Sequence, residues 1–211
     1  MHARSANPDL WRRTVAAAFV AAPALWLGPR ARAADRRPLT PAQTEGPFYP
    51  VSLPADSDAD LLHNGNLSYR AGEPAWLSGT VTDPEGRPLR SALVEIWQCD
   101  QAGHYHHPGD GDRADPAFQG FGRVAVAADG SYRFHTIRPV PYTGRTPHIH
   151  VKVKLGVREL LTTQVYIEGH PGNARDGLWR SLSADSRAAL TLPFERATDG
   201  WQARFPIVVE A

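Results

Sequence analysis

From Trp76 onward, apolar and polar residues alternate with the two-residue period of half-buried strands. Trp76 to Asp83 is one such run, ended by the turn signal Asp83-Pro84-Glu85-Gly86. Ala92 to Asp100 is a second, placing Leu93, Glu95 and Trp97 on one face and Val94, Ile96 and Gln98 on the other. Gly122 to Ala127 and Ser131 to Ile137 flank Asp129-Gly130, which predicts a hairpin between them. His148 to Leu155 and Leu160 to Ile167 predict another antiparallel pair, and Leu190 to Phe194 and Trp201 to Val209 complete the set. Helical signal is confined to Ser183 to Ala189, with Ser183 as cap and Asp185 in the first turn. Many short strands separated by turns predict an all-β fold, an antiparallel β-sandwich forming a single domain over residues 76–211.

Residues 34–75 read differently. Pro38, Pro41, Pro47 and Pro50 disfavour a helix, which predicts an extended arm, followed by a polar loop through Asp56-Ser57-Asp58-Ala59-Asp60. Residues 1–33 carry Arg12-Arg13, an apolar stretch from Thr14 to Leu27 and an Ala31-x-Ala33 site. That order is the pattern of an export signal peptide, and it predicts a periplasmic or extracellular protein. The paired arginines match the twin-arginine route, although Thr14-Val15-Ala16 follows where a Phe-Leu pair is commoner. The apolar stretch is short and interrupted by Pro23, so no membrane span is expected in the mature form.

The signal also dominates the charge. Of 23 basic and 22 acidic residues, five and one fall in 1–33, so the remainder carries 18 and 21, about −3 net. No basic patch survives to suggest a nucleic-acid partner. Cys99 is the only cysteine, which excludes an intramolecular disulfide and reads as a core residue.

The candidate chemistry lies in Pro141-Tyr142-Thr143-Gly144-Arg145-Thr146-Pro147-His148-Ile149-His150. Residues two apart on a strand point the same way, so His148 and His150 can ligate one metal, and a turn can return Tyr142 to it. A phenol binds at neutral pH only to a metal acidic enough to remove its proton, and hard oxygen with imidazole suits ferric iron better than zinc or copper(I). Tyr105 lies in Gly103-His104-Tyr105-His106-His107, directly after a predicted strand. The three histidines there are rival ligands, and spacing alone does not choose between them. Arg145 can pair with a surface carboxylate or stabilise an anionic substrate, and Gln164 can be a structural amide or a donor over the site. His63, His135 and His170 stand in no motif and read as structural.

Taken together, Thr44-Glu45-Gly46-Pro47-Phe48-Tyr49, Leu77-Ser78-Gly79-Thr80-Val81, Val94-Glu95-Ile96-Trp97-Gln98, Gly103-His104-Tyr105, Arg145-Thr146-Pro147-His148-Ile149-His150 and Gln164-Val165-Tyr166 resemble the intradiol ring-cleavage dioxygenases. The resemblance runs from about Thr40 to the C-terminus. It implies a non-haem ferric iron, Fe(3+), held by Tyr105, Tyr142, His148 and His150. Tyr142 and His150 would be axial, with Tyr105, His148 and a hydroxide equatorial. It further implies Arg145 and Gln164 beside the substrate, Tyr142 as a base, and Gly46 and Pro47 in the substrate pocket. The implied reaction cleaves a catechol-type diol with O2 to a cis,cis-muconate-type diacid. Phe48 and Gly144 stand where a tyrosine and a bulky residue are often found in the family, and the arm suggests a homo-oligomer. Two other readings compete. One is a non-catalytic extracellular binding module, which Gly79-Thr80-Val81-Thr82-Asp83 and Asp129-Gly130-Ser131-Tyr132 also resemble. The other is a copper or zinc site using His148, His150 and one histidine of 104–107.

Overall fold

The computed structural model describes residues 36–211. The strands are β1 (His63–Asn64), β2 (Leu67–Ser68), β3 (Pro74–Thr82), β4 (Ala92–Trp97), β5 (Phe121–Ala125), β6 (Ser131–Ile137), β7 (His148–Leu155) and β8 (Arg158–Ile167). After them come helices α1 (Gly177–Ser181) and α2 (Ala184–Leu190), then β9 (Thr191–Leu192), β10 (Glu195–Ala197), β11 (Gly200–Arg204) and β12 (Ile207–Val208). One sheet has the order β5-β4-β7-β8-β9, and the other has β10-β11-β3-β12 with β6 also on β3. Leu77 and Val81 of β3 and Phe134 of β6 share one buried core with Val94 and Ile96 of β4, Val151 and Val153 of β7, and Val165 of β8. That is the all-β sandwich the alternation predicts. No helix among the described residues is long and apolar enough to cross a membrane.

The strand pairing differs from expectation in two respects. The turn at Asp129-Gly130 forms, with the Gly130 N–H donating to Ala127 O at 2.8 Å, but β5 and β6 do not pair. β5 lies against β4 and β6 against β3, so this turn carries the chain from one sheet to the other. A turn signature specifies a local reversal, whereas burial decides which neighbour each strand takes. The sheets are also not wholly antiparallel: β11 and β12 run parallel to β3, and β9 parallel to β8. The close approach of the returning chain requires Gly79, since a Cβ there would lie 1.9 Å from the carbonyl oxygen of Phe205.

Helix α2 is capped by Ser183 as predicted, its hydroxyl accepting from the Ser186 N–H. Helix α1 was not expected; Asp176 caps it, accepting from the N–H groups of Leu178 and Trp179.

Strand β7 is buried on both faces. Ile149, Val151 and Val153 enter the inter-sheet core. His148, His150 and Lys152 face the other way and are equally buried, because residues 40–49 run over them. A smaller apolar cluster forms there, from Trp97, Cys99, Tyr105 and Phe121 with Phe48, Tyr49, Val140 and Tyr142 packed against it.

Candidate metal centre

The alternation of β7 brings the two histidine rings together. Their centroids lie 4.8 Å apart and their Nε2 atoms 3.2 Å apart. His148 Nδ1 is 2.7 Å from the Thr146 carbonyl oxygen, which can only accept, so Nδ1 carries the proton and Nε2 presents a lone pair. His150 stacks on Trp97, its pairing partner on β4, at 4.7 Å and 8°. Burial, reinforced by Arg145, pushes His148 down to about 4 and His150 well below the usual imidazole value. Both rings are therefore neutral, as metal ligands must be.

Two phenols close the site. Tyr142 lies 5.4 Å from the His148 ring, and Tyr105 lies 5.4 Å from Tyr142 and 6.2 Å from His150, centroid to centroid. Burial raises the pKa of both, although Arg145 opposes the rise at Tyr142. Tyr142 reaches the site through a turn closed by the Arg145 N–H donating to its carbonyl at 2.9 Å. Tyr105 is set by the loop before it. Asp100 accepts from the N–H groups of Ala102, His104 and Asp115, and Asp110 accepts from the Tyr105 N–H at 2.8 Å.

This donor set fits a cation. The Tyr105 hydroxyl and His150 Nδ1 are buried without hydrogen-bond partners. If His150 donates from Nε2 to His148, its Nδ1 is left orphaned; if Nδ1 holds the proton, two lone pairs confront each other. Buried polar groups are rarely left so, and a metal between the Nε2 atoms would use both lone pairs. Two phenols with two imidazoles is the oxygen and nitrogen set suited to ferric iron.

The rival histidines face other groups. His104 sits 3.3 Å from Asp110, His106 Nε2 faces the Phe118 carbonyl, and His107 Nδ1 accepts from the Gly109 N–H. Among the described residues no three His, Cys, Asp or Glu side chains gather as a metal group, which removes the copper or zinc reading. His63 and His135 both flank Asp60, and His170 accepts from the Gly172 N–H, as structural histidines do.

Arg145 does not pair with a surface carboxylate. Its Nε donates to Asp176, buried and 2.8 Å away, and a terminal nitrogen donates to Gln164 Oε1 at 2.6 Å. Gln164 is the pairing partner of His150 on β8, and its Nε2 donates to the Thr44 carbonyl at 2.9 Å. Gly46 lies against His150: a Cβ there would be 3.4 Å from Cε1, and its φ of +73° suits only glycine without strain. Pro47 follows, and Phe48 stacks on Tyr105 at 4.7 Å. Tyr105, Tyr142, Arg145, His148, His150, Gln164 and Gly46 thus belong to one neighbourhood, with Pro47 next to Gly46 in the chain.

Asp176, Trp97 and Lys152 belong to it too, and sequence reasoning passed over them. Asp176 had a signal, a carboxylate ahead of Gly177-Leu178-Trp179 in N-cap position. Lys152 also had one, lying in step with His148 and His150 on the same strand face.

Comparison with known proteins places most of the described chain in one family. A family model described as "Dioxygenase" matches residues 44–211. Hydroxyquinol 1,2-dioxygenase of Nocardioides simplex is 32% identical over 81% of this chain and 64% of its own length. The protocatechuate 3,4-dioxygenase beta chain of Burkholderia cepacia is 34% identical over 77% of this chain and 76% of its own. The solved dioxygenase domain of a dioxygenase carbohydrate-binding protein fusion from Streptomyces sp. SirexAA-E is 32% identical. It superposes with a TM-score of 0.66 over 82% of this chain and 99% of that domain. The chain spans less than two thirds of the hydroxyquinol enzymes it matches, 64% in Nocardioides simplex and 47% in Corynebacterium glutamicum.

Proposed function

Because this chain belongs to the intradiol ring-cleavage dioxygenase family, we propose that it holds ferric iron between Tyr105, Tyr142, His148 and His150 and cleaves a catechol-type diol with O2. The product of that reaction is a cis,cis-muconate-type diacid. The observation that carries the reading is the convergence of two buried phenols and two neutral imidazoles beside a fixed guanidinium. A binding module would have no use for that arrangement.

Iron, when bound, supplies Lewis acidity that draws electron density from the diol and activates it toward O2. The rest falls to the chain. A catechol must lose two protons to bind as a dianion; Tyr142, less buried than Tyr105, would be a tyrosinate when it holds the metal and so could take up one of them, the hydroxide implied by the resemblance taking the other. Asp176 and Gln164 hold Arg145 before substrate arrives, so its charge stabilises developing oxyanions without reorganisation. The arm from Thr44 to Tyr49 covers the imidazoles and excludes water, which strengthens each of these interactions. The resemblance to a signal peptide in residues 1–33, which lie outside the described residues, supports an exported enzyme; the N-terminal sequence of the secreted protein tests that.

The visible absorption spectrum of the purified protein, before and after anaerobic addition of catechol, tests the proposal. A broad tyrosinate-to-iron band that moves to longer wavelength on addition is expected. A colourless protein that takes up no iron would overturn the assignment.

A further inference from the structure

We propose that Lys152 is a positioning residue that fastens the segment Glu45–Tyr49 over the candidate metal centre and so sets how tightly the diol is bound; this rests on the function proposed above. The arm is anchored in two different ways along its length. Upstream, neutral hydrogen bonds tie it to β8: the Gln43 N–H to Thr162 O, Thr163 Oγ1 to Pro41 O, Gln164 Nε2 to Thr44 O and Tyr166 OH to Gln43 Oε1. From Glu45 to Tyr49 that pattern stops. Among the described residues the polar anchors of this segment to the sheets are Glu45 on Lys152 and Tyr49 OH on Glu95, the latter at 2.8 Å.

Lys152 engages both ends. Its Nζ pairs with the Glu45 carboxylate and lies 3.8 Å from the centre of the Tyr49 ring, a cation–π contact. The lysine is 5% exposed, while Glu45 and its second partner Glu159, at 3.2 Å, keep side-chain exposures of 42% and 50%. A buried ammonium has given up water that Glu45 and Glu159 replace, so release of Glu45 would leave it with one carboxylate partner. Between the two bracketed ends lie Gly46 against His150 and Phe48 against Tyr105. Lys152 itself touches neither the imidazoles nor the phenols through a hydrogen bond; it acts through the arm.

Two variants test this, read by chymotrypsin cleavage at the Phe48–Tyr49 bond and by steady-state kinetics on catechol. Glu45→Gln removes the charge from the arm side, outside both sheets, so it remains informative if Lys152→Met fails to fold. Cleavage reports the population of the lifted arm and needs no turnover, so it separates failure of this inference from failure of the proposed activity. In Glu45→Gln, cleavage about tenfold faster than wild type and a KM about tenfold higher with a smaller change in kcat are expected. Cleavage at the wild-type rate in Glu45→Gln, or faster cleavage with an unaltered KM, would overturn the inference.

Discussion

Two parts of this molecule carry a His-x-His pair, and they meet opposite fates. In the loop, His106 and His107 turn nitrogens to the Phe118 carbonyl and the Gly109 N–H, while His104 Nδ1, also buried without a hydrogen bond, lies 3.3 Å from the Asp110 carboxylate. On β7, His148 and His150 turn theirs toward each other, 3.2 Å apart, with one nitrogen left orphaned. The difference lies in the backbone. A strand forces alternate side chains onto one face, whereas a loop lets the rings point to different groups. Convergence without satisfaction is what marks a ligand set, and a count of histidines does not reveal it.

The sharpest break of that contrast is His150→Ala set beside His106→Ala. The first should abolish iron uptake and ring cleavage; the second should leave iron content and kcat/KM within about twofold of wild type, as surface changes do. Metal analysis with a catechol turnover assay checks both, and equal losses would erase the distinction between loop and strand.

Asp176→Asn should follow in size. It retains the helix cap but removes the charge that orients Arg145, so kcat/KM should fall about 10- to 100-fold, with about 2 kcal/mol lost from unfolding stability. Kinetics and denaturant unfolding measure the two effects separately. Burial pushes the carboxyl up, but the N–H groups of Trp179 and Thr146 together with Arg145 outweigh it and hold the carboxyl below its usual value. Its contribution to stability is therefore present above the ordinary carboxylate pKa of about 4 and lost as pH falls below it, a slope that Asp176→Asn should lack.

Gly46→Ala is a finer probe. The φ of +73° costs an alanine about 1 kcal/mol, and its methyl would come into van der Waals contact with the His150 ring. A modest loss of stability with a KM several-fold higher, on the order of the effect of 1 kcal/mol, is expected from the same pair of assays. The smallest effect is expected from Phe48→Tyr, which keeps the ring stacked on Tyr105 and should change catechol KM by no more than about twofold.

Much of this was legible along the chain. Strand alternation fixed which residues face inward, so the sandwich, the β7–β8 pair and the common face of His148 and His150 could be read from residue order alone. The Ser183 cap was equally local. Partners distant in sequence were not legible. The turn at Asp129-Gly130 looked like a hairpin until burial assigned β5 and β6 to different sheets. Arg145 could have met a surface carboxylate or a substrate until the cap of α1 brought the buried Asp176 to it, and nothing near Lys152 announced Glu45, 107 residues away. Periodicity is written in neighbouring residues because it follows from backbone geometry. Charge pairing, the covering of a strand's second face and the choice of sheet follow from which surfaces leave water together, and only the folded chain decides that.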